Sequence, residues 1–200
     1  LTSRDVSEPP TRIRRRPRLE AVYKLFDGKK AILCIPSERR AGHRGASGLL
    51  TFSDLNRHPV RVALFAGLSA LEEDLSFVIR KRYPDAEKWL CLLPHKAQVR
   101  LRRYWEKAKK RDIDIGPLAA ANLSDIFTII GTDEKLARDL GSVNGAAFLD
   151  ETKSIVELRN RVMHPVNQLM LNQEELAADR QTLGKILILG RSVEALRAGA

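Results

Sequence analysis

From Pro59 to the C-terminus the apolar residues keep to helical spacing, and that period restricts this part of the chain to packed α-helices. In the first such stretch Phe65, Leu68, Leu71, Leu75, Val78 and Ile79 recur three and four residues apart, which places them along one helix face. Glu72 and Glu73 then fall on solvated surface, a polar contact toward a cleft being the alternative. Pro84 closes this helix. A second helical region runs from Asp85, breaks near Pro94 and continues to about Arg111. Leu118 to Ile130 and Asp133 to Leu140 make a third and a fourth, and Phe148 to Met163 and Gln173 to Leu196 complete the set. No repeat of about 20 to 50 residues is present, so a solenoid is not indicated. The fold class is mainly α, a helical bundle over residues 59–200.

The N-terminal part reads differently. Residues 1–18 hold Pro9, Pro10 and the run Thr11-Arg12-Ile13-Arg14-Arg15-Arg16-Pro17-Arg18, which repels itself and has little to bury. It is expected to be a mobile basic arm, with a phosphate-binding tail and a plain linker standing level as its roles. Ala31 to Ile35 suggests a buried strand, Pro36 to Ser47 a polar loop, and Gly48 to Thr51 a second strand, after which Ser53 is placed to cap a helical turn.

A chain of 200 residues with 44% hydrophobic content supports one core and a smaller appendage. No apolar run approaches the roughly 20 residues that span a bilayer, and the most apolar helix is interrupted by Glu72, Glu73 and Asp74, so no membrane partner is expected. The first eighteen residues lack an apolar segment of the kind an export signal needs, which predicts a cytoplasmic location. Cys34 and Cys91 are too far apart in sequence to suggest a thiolate zinc site, and His43, His58 and His95 have no ligand spacing around them, so no metal or other cofactor is expected. The net charge of +10, from 35 Lys and Arg against 25 Asp and Glu, favours a polyanionic partner.

The helix from Phe148 to Met163 carries the most specific pattern. With Leu158 at zero and about 100° per residue, Phe148, Ile155 and Val162 lie within about 80° of it and form a core stripe. Lys153, Glu157, Asn160 and His164 line a polar stripe on the opposite side, with Arg159 flanking it. Pro165 disfavours helix at His164, which places that imidazole at a helix end.

The stretch Leu158-Arg159-Asn160-Arg161-Val162-Met163-His164-Pro165 resembles the HEPN signature, in which Arg, commonly followed by Asn, precedes His by four to six intervening residues. The likeness extends over residues 59–200. Upstream, Gly48-Leu49-Leu50-Thr51-Phe52-Ser53-Asp54-Leu55 resembles the last strand and helix start of a CBS domain, over residues 19–58, and the junction Leu55 to Arg61 resembles one in which CBS units precede a HEPN-type domain. The whole chain is thus expected to be a HEPN-like helical bundle with a small, partial α/β CBS-like remnant.

The HEPN resemblance implies a homodimer with two motifs facing each other across a cleft and, in active members, metal-independent endoribonuclease activity that leaves a 2′,3′-cyclic phosphate and a 5′-hydroxyl. An imidazole exchanges protons near neutral pH and a guanidinium holds phosphate oxygens by paired hydrogen bonds. His164 is therefore expected to assist attack by the ribose 2′-hydroxyl, Arg159 to bind the scissile phosphate, and Asn160 to orient groups. Arg161, Lys153, Arg102 and Arg103 are the expected further contacts to RNA. The resemblance also implies a toxin held by an antitoxin protein, or a nuclease of phage defence or stress. Two alternatives stand beside it: Arg159 and His164 as cations that merely cap a helix C-terminus, and a non-catalytic RNA- or nucleotide-binding module with a dimerising helical domain. The CBS likeness implies nucleotide contacts at Thr51 and Asp54, with a structural remnant as the favoured reading. Lys96 to Arg111 holds eight basic residues with Tyr104 and Trp105 among them. It reads either as an RNA-facing helix or, slightly preferred, as a solvated basic face with its aromatics packed.

Overall fold

Prolines, glycines and short polar side chains decide where the helices begin and end. The computed structural model describes residues 33–36, 46–50, 52–113, 116–164, 166, 168–170 and 172–198. Two strands, β1 (Leu33–Pro36) and β2 (Ala46–Leu50), pair antiparallel with Leu33 opposite Leu50 and Ile35 opposite Gly48, the register slipping between Ile35 and Pro36. They overlap the predicted strands at residues 33–35 and 48–50, while Pro36, Ala46 and Ser47, expected in the loop, belong to the pair. The arm at 1–18, most of the CBS-like segment and Thr51 lie outside the described residues. A single 3-10 turn at Phe52–Asn56 follows.

Helix α1 (His58–Arg82) starts with Pro59 in its first turn, where a missing N–H costs nothing, and ends on Arg80, Lys81 and Arg82, which suit the negative end of a helix. Helix α2 (Ala86–Leu90) is capped by Asp85, and α3 (His95–Lys109) begins directly after Pro94. A 3-10 turn at Pro117–Ala120 leads to α4 (Leu123–Thr132), which opens with a reciprocal capping box between Asn122 and Asp125. Asp133 caps α5 (Glu134–Asp139) by accepting from the N–H groups of Lys135 and Leu136, and Asn144 caps α6 (Gly145–Met163) by accepting from that of Ala147. Helix α7 (Gln173–Ala198) completes the seven helices among the described residues, and the chain is mainly helical. None of these helices is long and apolar enough to cross a membrane.

The core is formed by Leu64, Leu68, Leu71 and Leu75 of α1, Ile126, Phe127 and Ile130 of α4, Phe148, Ile155, Leu158 and Val162 of α6, and Leu176, Leu189 and Val193 of α7. Phe127 and Phe148 meet edge to face with centroids 5.8 Å apart, joining α4 to α6. The predicted core stripe of the motif helix is therefore buried. Phe65 departs from its predicted place: it is 47% exposed, because Leu64 and Arg61 take the inward positions of the first turns. Helices α4 and α6 approach closely where α6 begins, since a Cβ on Gly145 would lie 1.9 Å from the Gly131 carbonyl oxygen. The Gly145 N–H also donates to Glu134 Oε2 at 3.2 Å. One end of α6 is thus fixed against α4 and α5, and its other end carries the motif.

Candidate functional site

Helix α6 stops at Met163. The His164 N–H donates to the Asn160 carbonyl at 3.2 Å, but its own φ of −106° and ψ of 88° leave the helix, as a residue before proline must. The last carbonyls of a helix lack intrahelical partners and need other donors. Here they find Arg61, a buried arginine on α1, whose Nη1 donates to the Arg161 carbonyl at 2.8 Å and reaches the Val162 and His164 carbonyls at 3.4 Å each. Downstream, the Asn56 side chain donates to the Met170 carbonyl and accepts from its N–H, both at 2.9 Å. Arg61 and Asn56 thus tie the end of α6 and Met170 to the start of α1 and the 3-10 turn before it.

This arrangement separates Arg159 and His164 from the capping task. Arg159 is half-buried and turns toward α1, where its Nε lies 3.6 Å from Glu72 Oε1. That is an ion-pair distance and too long for a hydrogen bond, so the buried Oε1 of Glu72 has no hydrogen-bond partner among the described residues. A small cleft between α1 and α6 is lined by Phe65, Leu68, Ser69, Glu72, Arg159 and Met163. His164 is exposed, and its imidazole makes no hydrogen bond among the described residues. Asn160 is exposed on the same stripe. Comparison with known families, curated proteins and solved structures gives no match.

The other expected contact residues sit elsewhere or are engaged in structure. Arg161 pairs with the buried Asp179 of α7 and donates to the Leu169 carbonyl at 2.7 Å, so it locks α6 to the start of α7. Burial pushes the Asp179 carboxyl above its usual range, while the Arg161 guanidinium pulls it down. Arg161→Ala is expected to cost about 3 kcal/mol of stability by leaving that carboxylate buried and unpaired, the low end of the range because Arg161 is partly exposed. Urea unfolding checks this through the midpoint. Lys153 lies three turns before His164, roughly 16 Å along the axis, and pairs with Asp150, holding that carboxyl low. Arg102 grips Glu87 on α2 through both terminal guanidinium nitrogens and likewise depresses its carboxyl. Arg103, also on α3, is exposed; no hydrogen bond or ion pair joins either arginine to the motif. Asp54 pairs with Arg57 at 2.8 Å.

Sequence reasoning missed Arg61 and gave Glu72 to solvent. A signal for the first exists: Arg61 stands in register with Leu64, Leu68, Leu71 and Leu75, where an apolar residue belongs, and a cation there needs buried acceptors. Glu72 lies beside Leu71 and Leu75 at the edge of the core face, which is where its half-burial comes from.

Proposed function

We propose that the chain is a metal-independent endoribonuclease of the HEPN type that works as a homodimer, with Arg159 and His164 as its catalytic pair. The observation that carries this reading is the capping of α6 by Arg61, which relieves Arg159 and His164 of the structural role that would otherwise explain two cations at a helix end. What remains is a guanidinium at a cleft and an accessible imidazole one helical turn further on. In the reaction the ribose 2′-oxygen attacks phosphorus as its proton passes to an imidazole, and the bond from phosphorus to the 5′-oxygen breaks as that oxygen takes up a proton. Arg159 holds the phosphoryl oxygens while negative charge builds on them, and Asn160 orients the neighbouring groups. The products are a 2′,3′-cyclic phosphate and a 5′-hydroxyl.

Two copies are needed for a two-sided cleft. Val62, Phe65 and Met163 are between 41% and 49% exposed around the motif, and this apolar rim beside a polar stripe suits a two-fold contact. Sedimentation at micromolar concentration is expected to give twice the 22.5 kDa chain mass; a species of 22.5 kDa alone contradicts the dimer. The activity is tested by incubating the purified chain with total RNA in EDTA, where fragmentation is expected and intact RNA would refute it.

A further inference from the structure

Apart from Arg100, which reaches Asp125 and the Ala120 carbonyl, packing makes no use of the outward face of α3, and that face carries cations in a row. Leu101 and Ala108 hold the opposite side in the protein interior. Arg100 and Arg102 are tied to Asp125 and Glu87, and the Lys109 ammonium lies 3.7 Å from the centroid of the Trp105 ring. Lys96, Arg103 and Lys107 differ from these: all are exposed, and none forms an ion pair among the described residues. At 100° and 1.5 Å per residue they lie within about 40° of one another, spaced about 10 and 6 Å along the axis. Tyr104 lies about 60° to 100° around the helix from these three, between them and the buried side, and is 50% exposed with no hydrogen bond to its hydroxyl among the described residues. Tyr83, in contrast, spends its hydroxyl on Asp133.

We propose that this face of α3 binds single-stranded RNA, with backbone phosphates on Lys96, Arg103 and Lys107 and a base stacked on Tyr104. The inference deepens the ribonuclease reading and rests on it for the choice of RNA. Phosphates explain unpaired cations in line, and a half-exposed ring to one side of them provides a stacking platform that any base fits. A membrane surface fits poorly, because a basic amphipathic helix binds lipid through its apolar face and here that face is packed inside. An acidic protein would meet the cations and leave Tyr104 without a task.

The test uses the full chain carrying His164→Ala, so that the probe is not cut, and follows fluorescence anisotropy of a labelled short oligouridine over a range of salt. Tyr104→Ala is expected to weaken binding about 5- to 100-fold, while Tyr104→Phe binds as the His164→Ala parent does. Neutralising Lys96, Arg103 and Lys107 to Gln together is expected to reduce the slope of log affinity against log salt by about 2, for three phosphate contacts on a single strand. Circular dichroism confirms that the variants fold, as substitutions at exposed positions should. Unchanged binding in Tyr104→Ala, no binding by the parent, or competition by poly-glutamate as strong as by unlabelled RNA would each overturn the inference. The two readings fail separately: binding that depends on α3 without cleavage by the unsubstituted chain sinks only the catalytic one, and cleavage with binding indifferent to α3 sinks only this one.

Discussion

Replacing His164 with Ala is expected to lower RNA cleavage by about 10²- to 10⁴-fold, the usual share of a proton-transferring imidazole, with little change in melting temperature. Stability is spared because the side chain is exposed and the bonds that fix this end of α6 run to backbone carbonyls, including that of His164 itself. Arg159→Ala is expected to lose activity on a similar scale. Arg159→Lys should stay impaired, since an ammonium keeps the charge and cannot make the two-pronged phosphate contact. A single-turnover assay on a defined RNA, with thermal unfolding alongside, checks all three. Full activity in His164→Ala would remove the imidazole from the mechanism.

The largest expected effect on stability comes from the other end of α6. Gly145→Ala would put a methyl group 1.9 Å from the Gly131 carbonyl oxygen, a backbone atom that cannot swing aside. Helices α4 and α6 must then separate, which disturbs the packing of Phe127 on Phe148 as well. The expected cost is about 3 kcal/mol or more, equivalent to a fall in melting temperature on the order of 10 °C for a domain of this size. Gly184→Ala serves as the control. Nothing stands within 4 Å of a Cβ there and the residue lies inside α7, so it is expected to gain about 0.5 to 1 kcal/mol from helix propensity. Differential scanning calorimetry of the two variants measures the contrast, and equal melting temperatures would mean that the close crossing does not govern this contact.

The helices and the motif's core stripe were legible because burial repeats with the helical period: Phe148, Ile155, Leu158 and Val162 are all inside. The caps were less legible: apolar spacing starts a helix at Asp133, but it runs one from Leu118 through Asn122 and starts another at Phe148, whereas the chain makes a 3-10 turn at Pro117–Ala120 before Asn122 caps α4, and Asn144 caps α6 three residues earlier than expected. What periodicity does not carry is the choice between neighbouring positions at the edge of a face. Phe65 sits about 60° from Leu68 and turns outward while Leu64 turns in, and Glu72 turns toward Arg159. Nor does spacing within one helix reveal partners from another. Arg161 is as basic as Arg159, yet Asp179, eighteen residues on, claims it. The cap supplied by Arg61 crosses about a hundred residues of sequence and depends on α1 and α6 packing side by side. Of the two readings of Lys96 to Arg111, the one with packed aromatics holds in part for Trp105 and not for Tyr104, which is half-exposed because the short apolar face of α3 is filled by Leu101, Ala108 and Trp105.

The chemistry of the cut ends tests the central claim most directly. Cleavage through the 2′-hydroxyl leaves a phosphate on the 3′ side whichever RNA is chosen. Digesting total RNA with the purified chain in EDTA and assaying the ends is expected to show 2′,3′-cyclic phosphates and 5′-hydroxyls, made by the parent and not by His164→Ala. Fragments ending in 3′-hydroxyl and 5′-phosphate, or a reaction that EDTA stops, would contradict it.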